Sequence, residues 1–414
     1  GLAPVGEKSL DYLKEIALTG DWKMHEENPF VDFDSEPLIP YAYSRSGPVL
    51  AAADVNGDKN EDFFVGGSAA APSHLLLNWG GGRFEDSDQQ SWSKQIPMEV
   101  SDAMFFDVDS DGDQDLFVVG GGSEFPEGSD SYTDRLYLNN GKGKFTEASP
   151  GSIILDHVSG SCVAGADFDK DGDIDLFVGG GVKPGSFPQS SPSALLRNDT
   201  DNHGAVHFTL VTKELGGDQL REAGLTTDAV WTDLDGNGWQ DLVIAGHWMP
   251  VTVYLNNQGR LTKSTEPSLA ELSGLWNTIF AGDLDSDGDD DLIAGNAGLN
   301  TSWTASAAEP VEMYYADFNR DGKMDPVICS YVQGTSYPVA TRDELLGQLT
   351  HLRKKFTDYA SYAKATLSDV LTGEELALAQ KRVVNTLQSV YLENNGRGGF
   401  NVVSLPSRAQ FSWT

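Results

Sequence analysis

The sequence predicts an all-β protein, a β-propeller of four-stranded antiparallel blades with a small helical insertion, on three observations. An acidic segment of nine residues recurs six times, each copy lies between two short apolar runs, and a turn rich in Asn and Gly follows most copies. Two strands joined by the acidic segment and two joined by the turn make one four-stranded unit. Radial repetition of such units is a propeller, for which we expect seven blades, with six as the alternative.

The acidic segments, named loops one to six, carry Asp or Asn at alternate positions. They are DVNGDKNED (54–62), DVDSDGDQD (107–115), DFDKDGDID (167–175), DLDGNGWQD (233–241), DLDSDGDDD (283–291) and DFNRDGKMD (317–325). Their unequal spacing along the chain fits blades with connections of different length better than it fits a tight solenoid.

The runs that flank the loops have the composition of strands. Loop two, for example, lies between AMFF and LFVVGGG, which are short, rich in β-branched and aromatic residues, and ended by Gly. Further along, RLYLNNGKGKF and TVYLNNQGRL place Asn and Gly between two apolar runs. This is the chemistry of a hairpin turn that requires positive φ.

The spacing of the carboxylates predicts a metal. Closely spaced carboxylates repel one another unless a cation lies among them. Asp and Asn at loop positions 1, 3, 5 and 9, with a backbone carbonyl at position 7, form a set of hard oxygen ligands suited to Ca²⁺. We expect about six structural Ca²⁺ sites of the weaker, extracellular class, in which binding contributes folding free energy. The alternative is a set of solvated acidic turns without metal.

The predicted ligand positions share this alternation, with position 7 contributing its backbone oxygen. They are Asp54, Asn56, Asp58, Asn60 and Asp62; Asp107, Asp109, Asp111, Asp113 and Asp115; Asp167, Asp169, Asp171, Asp173 and Asp175; Asp233, Asp235, Asn237, Trp239 and Asp241; Asp283, Asp285, Asp287, Asp289 and Asp291; and Asp317, Asn319, Asp321, Lys323 and Asp325.

Two details separate these loops from a helical calcium hand. Gly occupies position 6 in loops two to six, where it permits a sharp turn, whereas loop one has Lys59 there and Gly57 two residues earlier. Position 12, where an EF-hand has a bidentate Glu, is apolar in all six copies. The loops are therefore expected between strands.

Charge and composition limit the partners. The 28 Lys and Arg against 63 Asp and Glu give a formal net charge of −35, which argues against nucleic acid and anionic membranes. No run of 18 apolar residues is present, so direct membrane insertion is not expected. The chain begins at Gly1 without a leader, which we interpret as a processed or excised segment. Cys162 and Cys329 lie in apolar runs, which favours free buried thiols over a disulfide.

We divide the chain into an N-terminal segment (1–47), propeller blades (48–340), a helical insertion (341–385), and the hairpin and C-terminal strand of the final blade (386–414). In the insertion, Leu345, Leu349 and Leu352 fall at helical spacing, and TRDE (341–344) and TGEE (372–375) have the form of capping boxes. We favour a lid packed on the propeller over a docking surface. Loops five and six lie close together without a hairpin between them, which predicts an irregular blade. Either the chain is truncated, or segment 1–47 closes the ring with the C-terminal strand.

The pattern D-x-D-x-D-G-x-x-D-L-x-V-G followed by Y-L-N-N-G-x-G-x-F resembles the FG-GAP, or VCBS, repeat of integrin α-chain propellers and bacterial surface proteins. The stretches ENPFVDF (27–33), GHWMPVTVYLNN (246–257), GLWNTIFAGDLDSDGDDDLIAGNAGLN (274–300) and SYPVATRDELLGQL (336–349) are similar to secreted VCBS-repeat proteins of gram-negative bacteria related to cartilage acidic protein. The resemblance implies a seven-bladed propeller with calcium in the blade loops. It also implies an extracellular or cell-surface location, associated with the outer membrane, and an adhesive or glycan-associated role.

For function we expect a monomeric recognition module that binds a glycan or a cell-surface protein. No hydrolase, nucleotide-binding or metalloprotease motif is found, so no enzyme is expected. The alternative is a propeller enzyme, a polysaccharide lyase or glycoside hydrolase, whose site at the channel mouth is assembled from several blades. The seven histidines, His247 among them, are expected as scattered surface or hairpin residues, and Trp239 is the one Trp expected to be exposed.

Overall fold

The computed structural model describes residues 19, 25–45, 47–87, 90–94, 97–153, 155–201 and 205–412. Within these ranges the strands form six four-stranded antiparallel units, one for each acidic loop, which confirms the all-β, propeller-like fold. The units of loops two and three are linked into one eight-stranded sheet, and so are those of loops four and five. Residues 1–18, 20–24 and 46 of the predicted N-terminal segment, and the last two residues of the chain, lie outside the described part.

Blades one to four are each continuous in sequence, and in each the acidic loop joins the first strand to the second. Blade one contains β1 (Leu50–Ala53), β2 (Asp62–Val65), β3 (His74–Asn78) and β4 (Phe84–Asp86). Blade two contains β5 (Glu99–Phe106), β6 (Asp115–Gly121), β7 (Arg135–Leu138) and β8 (Thr146–Glu147), and blade three contains β9 (Gly160–Ala166), β10 (Asp175–Gly180), β11 (Ala194–Asn198) and β12 (Phe208–Leu210). Blade four contains β13 (Leu225–Thr232), β14 (Asp241–Pro250), β15 (Thr252–Asn257) and β16 (Arg260–Lys263). Neighbouring strands of a blade pair antiparallel in chain order.

Blade five is split in the sequence. It begins with β17 (Ser273–Gly282) and β18 (Asp291–Asn296); the chain then builds sheet six from β19 (Val311–Ala316), β20 (Asp325–Val332), β21 (Thr335–Pro338) and β22 (Gln380–Val384), and returns to blade five with β23 (Val390–Asn394) and β24 (Phe400–Ser404). Strand β23 pairs with β18, with Leu392 opposite Leu292.

This pairing corrects two expectations. The hairpin at 389–400 completes the blade of loop five and not that of loop six, because Leu392 and Phe400 pack into the core that contains Leu292. The short interval between loops five and six is therefore explained by an inserted sheet, since the hairpin of blade five comes after it. The fourth strand of sheet six is β22, which lies inside the stretch predicted as helical and pairs with β19.

The helices are short. Three precede sheet six, α1 (Asp32–Ser35), α2 (Gly217–Arg221) and α3 (Pro267–Ala270), and four lie between β21 and β22, α4 (Arg342–Gln348), α5 (Tyr359–Tyr362), α6 (Leu367–Val370) and α7 (Gly373–Leu378). Both predicted capping boxes form, at Thr341 and Thr372. Leu345, Leu349 and Leu352 are buried against Val327 and Cys329 of β20, so the helices pack on sheet six.

The other helical turns are short, and two of them adjoin an α-helix. They are 3₁₀ turns at Ser91–Lys94, Asp130–Tyr132, Thr350–Lys354 and Ser407–Gln410, and a π turn at Thr212–Gly216.

The first strands of blades one to five, β1, β5, β9, β13 and β17, lie side by side around the centre. Loops one to five extend from the carboxyl ends of these strands and form what we call the loop face. The amino ends of the same strands form the opposite face, the cavity face. Four apolar clusters fill the four junctions between adjacent blades, so each blade is held mainly by its neighbours.

The outer face of blade five is open. Residues at loop position 2 are fully buried at the four junctions, as for Phe168 and Leu234, whereas the equivalent Leu284 of loop five is 44% exposed. Phe280 of β17 is 58% exposed on the same blade. Sheet six does not cover this face, because Val311 and Met313 pack instead with Trp248 and Leu275 at the cavity face. The predicted closure of the ring and the predicted number of blades stay predictions.

Cys162 and Cys329 are both buried and unpaired, as predicted. Among the helices in the described ranges, none combines the length and the apolar character that crossing a bilayer requires.

Candidate metal centres

Loops two to five each bring three carboxylates together. In every group the nearest carboxylate oxygens lie within 4.8 Å of one another. The groups are Asp107, Asp109 and Asp115; Asp167, Asp169 and Asp175; Asp233, Asp235 and Asp241; and Asp283, Asp285 and Asp287. Positions 1 and 3 therefore meet in all four loops, joined by position 9 in loops two to four and by position 5 in loop five.

Loops one and six differ from the other four at position 3. Their described residues include no such group, and position 3 is Asn56 in loop one and Asn319 in loop six. An amide oxygen can bind a hard cation but carries no charge. The predicted sites in these two loops therefore have weaker electrostatics than the other four.

The donor set suits a cation. Asp109 and Asp167 each belong to a group, and each has an Oδ1 that is buried and without a hydrogen-bond partner in the described part of the chain. An unpartnered buried carboxylate oxygen is costly unless a cation or a proton satisfies it. Side chains at position 7, such as Asp113 and Asp173, belong to none of the groups. Their predicted contribution through the backbone oxygen stays a prediction.

The loop backbone wraps around the carboxylate at position 1. Asp107 accepts hydrogen bonds from the N–H groups of Asp111 (3.1 Å) and Gly112 (2.9 Å). Asp233 and Asp317 accept from the same two loop positions. The N–H groups of the loop itself thus hold the position-1 carboxylate at the centre of the loop.

Two residues of each loop adopt positive φ. Position 6 does so as predicted, including Lys59 of loop one at 71°. Position 4 does so as well, with Ser110 at 60° and Lys170 at 63°. Positive φ at position 4 was not predicted because most copies have no Gly there, although Gly57 and Gly236 were a signal. Left-handed backbone at a residue other than Gly is strained and persists only where its surroundings impose it.

The position-9 carboxylate anchors each loop. In loop two, Asp115 is buried; its Oδ2 accepts the N–H of Val108 (3.0 Å) and its Oδ1 accepts the N–H of Asn139 (2.7 Å). The same two bonds, to loop position 2 and to the hairpin asparagine, form at Asp62, Asp175, Asp241 and Asp291. One carboxylate therefore joins the start of the loop to the hairpin of its own blade.

The hairpin asparagines tie neighbouring blades together. Asn256 of blade four donates from Nδ2 to the carbonyl of Phe168 (2.8 Å), in loop three of the preceding blade, and to the carbonyl of Gln240 (2.9 Å). Asn139, Asn198 and Asn394 make the equivalent bond to loops one, two and four. From the sequence, these residues were expected to form only the turn. In the sequence, Asn recurs as the last residue of an apolar run, and this pattern was the available signal of a second role.

Burial raises the pKa of the position-9 carboxyls in loops two to four. The pKa rises to about 7 for Asp115, about 8 for Asp175 and about 6 for Asp241. The hydrogen bonds that these carboxylates accept from backbone N–H groups lower the pKa, but the effect of burial is larger. Neighbouring carboxylates add to the rise, as Asp109 does at Asp115. Burial also raises the pKa of Asp109 and Asp169, with a further rise from adjacent aspartates. Each site therefore favours a positive ligand, whether a proton or a metal ion.

Trp239, at position 7 of loop four, is only partly exposed. The ammonium group of Lys170 in loop three lies 4.5 Å from the centre of its ring. The expectation that this Trp is exposed is therefore met only in part, because a cation of the neighbouring loop covers it.

Comparison with known proteins identifies the repeat. Residues 54–118, 107–178 and 233–294 match the family model described as FG-GAP-like repeat. These segments contain loops one to five, including all four carboxylate groups.

Two curated relatives are similar to the chain. Cartilage acidic protein 1 of Mus musculus is 30% identical over 222 residues, which are 51% of this chain and 30% of that protein. The Homo sapiens protein of the same name is 28% identical over 248 residues, 54% of this chain and 35% of that protein. The chain thus spans about a third of the length of these relatives.

One solved structure with a similar course is a lectin of Agrocybe aegerita, described as recognising non-reducing terminal N-acetylglucosamine. It aligns with 88% of this chain and 81% of its own, at 17% identity and a TM-score of 0.36. A likeness at this level carries no conclusion about function.

Replacing Asn256 by Leu should weaken the junction between blades three and four. The change leaves the carbonyls of Phe168 and Gln240 buried without a donor, at a cost of about 1–3 kcal/mol each. We expect the free energy of unfolding in urea to fall by about 2 kcal/mol or more. The control is Asn257→Leu at the next, exposed position, where a change within about 0.5 kcal/mol is expected. Equal losses in the two variants would contradict the proposed tie.

The metal-free protein should lose stability as pH rises. Its raised folded-state pKa values, from the ordinary 3.8 to about 7 and 8 for Asp115 and Asp175, mean that the folded state binds more protons than the unfolded state across that window. Stability is therefore greatest near pH 4 and falls toward pH 8. We expect a lower thermal midpoint at about pH 8 than at about pH 5 in metal-free buffer, and a smaller difference when a divalent cation is added. A midpoint that rises with pH in metal-free buffer would refute this account.

Proposed function

We propose that this chain, which contains FG-GAP-like repeats and is similar over about half of its length to cartilage acidic protein 1, is a calcium-stabilised β-propeller that recognises a glycan or a cell-surface protein. It acts outside the cell or at its surface, associated with an outer membrane, as a monomer and without chemistry of its own. The observation that carries the proposal is the set of carboxylate groups in loops two to five.

Calcium is the ion that best fits these groups. Their ligands are carboxylate oxygens, and the proposal adds the backbone carbonyl predicted at position 7. Together they form a hard set that Ca²⁺ accepts in flexible geometry. A net charge of −35 opposes folding by self-repulsion, and each bound ion would offset two charges where carboxylates are closest. Loops two to five are the stronger sites in this proposal. Loops one and six are the weaker ones, because position 3 is uncharged there.

The location follows from the same chemistry. Weak calcium sites fill where free calcium is about millimolar, which is the condition outside cells. A propeller that depends on such sites is stable in that environment and loses its support where calcium is scarce. Recognition is the role best matched to a rigid scaffold with loops and a cavity on its two faces.

The ligand role of position 3 can be tested within one loop. We expect Asp109→Asn to weaken calcium binding at loop two by about tenfold in calorimetric titration, because it removes a charged ligand of a group and leaves the uncharged amide found in loops one and six. It should also reduce the rise in thermal midpoint that calcium gives. Asp113→Asn makes the same charge change at position 7 of the same loop and should leave the affinity for calcium unchanged.

The ligand role of position 3 fails if Asp109→Asn binds calcium as tightly as Asp113→Asn and the parent chain do. The calcium proposal as a whole fails if calcium and a chelator give the parent chain the same thermal midpoint.

Recognition and catalysis make different predictions for the purified, calcium-loaded protein. We expect retention on a glycan array or on immobilised surface proteins, and no release of reducing ends or unsaturated sugars from polysaccharides. The control is the chelator-treated protein, whose retention should fall. Product that accumulates with time and protein concentration would replace the recognition role by an enzymatic one.

A further inference from the structure

The cavity face carries an open pocket of about 370 Å³, which we call the central cavity. Its wall is formed by residues of the first strands of blades two to five and by residues at the ends of second strands, such as His247 of β14, and Tyr41 and Tyr43 of the N-terminal segment line one side. This volume falls within the range of pockets that hold small ligands. The metal loops take no part in it, since they lie at the opposite ends of the same strands.

Among the described residues that line the wall, none is charged at neutral pH. His247 is buried, contrary to the expectation of a surface histidine, and burial lowers its pKa to about 4. Its Nδ1 lies 2.5 Å from the hydroxyl of Tyr41, and its Nε2 lies 2.9 Å from Oδ1 of Asn277. A charged ligand would have no counter-charge in this wall, and an unpaired buried ion is costly. The central cavity therefore favours a neutral molecule.

The hydroxyl groups of the wall present mainly acceptors. Ser159 donates to the carbonyl of Gly122, Thr226 to that of Gly180 and Thr227 to that of Trp276, over 2.7–2.8 Å. Because these protons are engaged, the oxygens retain lone pairs for a donor inside the space. Such a wall suits a ligand with several hydroxyl groups.

Asn277 adds a donor. Its Oδ1 is engaged by His247, whereas its buried Nδ2 has no hydrogen-bond partner among the described residues. A buried amide without a partner costs free energy, and an acceptor oxygen from a bound molecule would remove that cost. The rings of Tyr41 and Tyr43 supply apolar surface beside these polar groups.

We propose that the central cavity binds the terminal sugar unit of a neutral glycan. The inference rests on the recognition role proposed above and gives it a place and a ligand class. A pyranose offers several O–H donors to the serine and threonine oxygens, acceptor oxygens to Asn277, and an apolar face to the tyrosines. A protein surface would not enter a concave space of this size, so the glycan is favoured over the surface protein.

Binding can be measured with defined probes. The calcium-loaded protein is titrated with glucose, galactose, mannose and xylose, and with glucuronate as the charged comparison, by saturation-transfer NMR and calorimetry. We expect at least one neutral sugar to saturate a single site, and glucuronate to bind at least about tenfold more weakly. Asn277→Leu removes the donor and Thr227→Val removes one acceptor while keeping its shape. Each should weaken binding by about tenfold.

The matched control is Asn257→Leu, the same substitution at an exposed position on the loop face, which should leave the affinity unchanged. If Asn277→Leu fails to fold, Thr227→Val tests the same wall. Affinity that survives both variants, or equals that for glucuronate, overturns the central cavity as the site and leaves recognition elsewhere intact. If no neutral sugar binds and no arrayed glycan is retained, the cavity holds water only, and the glycan part of the proposed function fails with it.

Discussion

The position-9 carboxylate of each acidic loop is the constraint on which the rest of the molecule depends. It accepts one backbone N–H from its own loop and one from the hairpin of its own blade, as Asp241 does from Leu234 and Asn256. The side chain of that same asparagine reaches back to the preceding blade. One buried carboxylate therefore fixes the conformation of the loop, the register of the hairpin and, through the asparagine, the junction with the preceding blade. Because it lies beside other carboxylates, a cation at that point would stabilise all three together.

In sheet six the position-9 carboxylate, Asp325, is held by a helix residue instead of a hairpin asparagine. No hairpin asparagine reaches Asp325; Nε2 of Gln348, the last residue of α4, donates to it (2.8 Å) and to the carbonyl of Met324 (2.9 Å). These are the groups, at loop positions 9 and 8, that a hairpin engages in blade four. The main-chain N–H of Leu38 in the N-terminal segment donates to Oε1 of the same glutamine. The helical insertion therefore replaces a hairpin at loop six, and it connects that loop to the segment that covers the cavity face.

The parts of this architecture that are local in sequence could be predicted, and those set by packing could not. Acidic loops, flanking strands and the capping boxes at Thr341 and Thr372 follow from patterns of a few residues, and all of them form. The carboxylate groups follow from the alternation of Asp, although the difference between Asp109 and Asn56 at position 3 becomes informative only when distances are known. His247 could not be placed, because its partners Tyr41 and Asn277 come from distant segments. The assignment of β23 to blade five depends on a core that no local pattern reveals.

The split of blade five has a consequence for the order in which the chain becomes structured. Tyr391 of β23 donates to Asp291, 100 residues earlier, so the two halves of this blade meet only after the intervening sheet has been synthesised. Closing so long an interval costs entropy and slows the step that closes it. During vectorial synthesis blades one to four can assemble in turn, and β17 can then pair with β14 of blade four. Until β23 has been synthesised, the edge of β18 that it covers lacks a partner, and an unpaired strand edge is a site of misassociation.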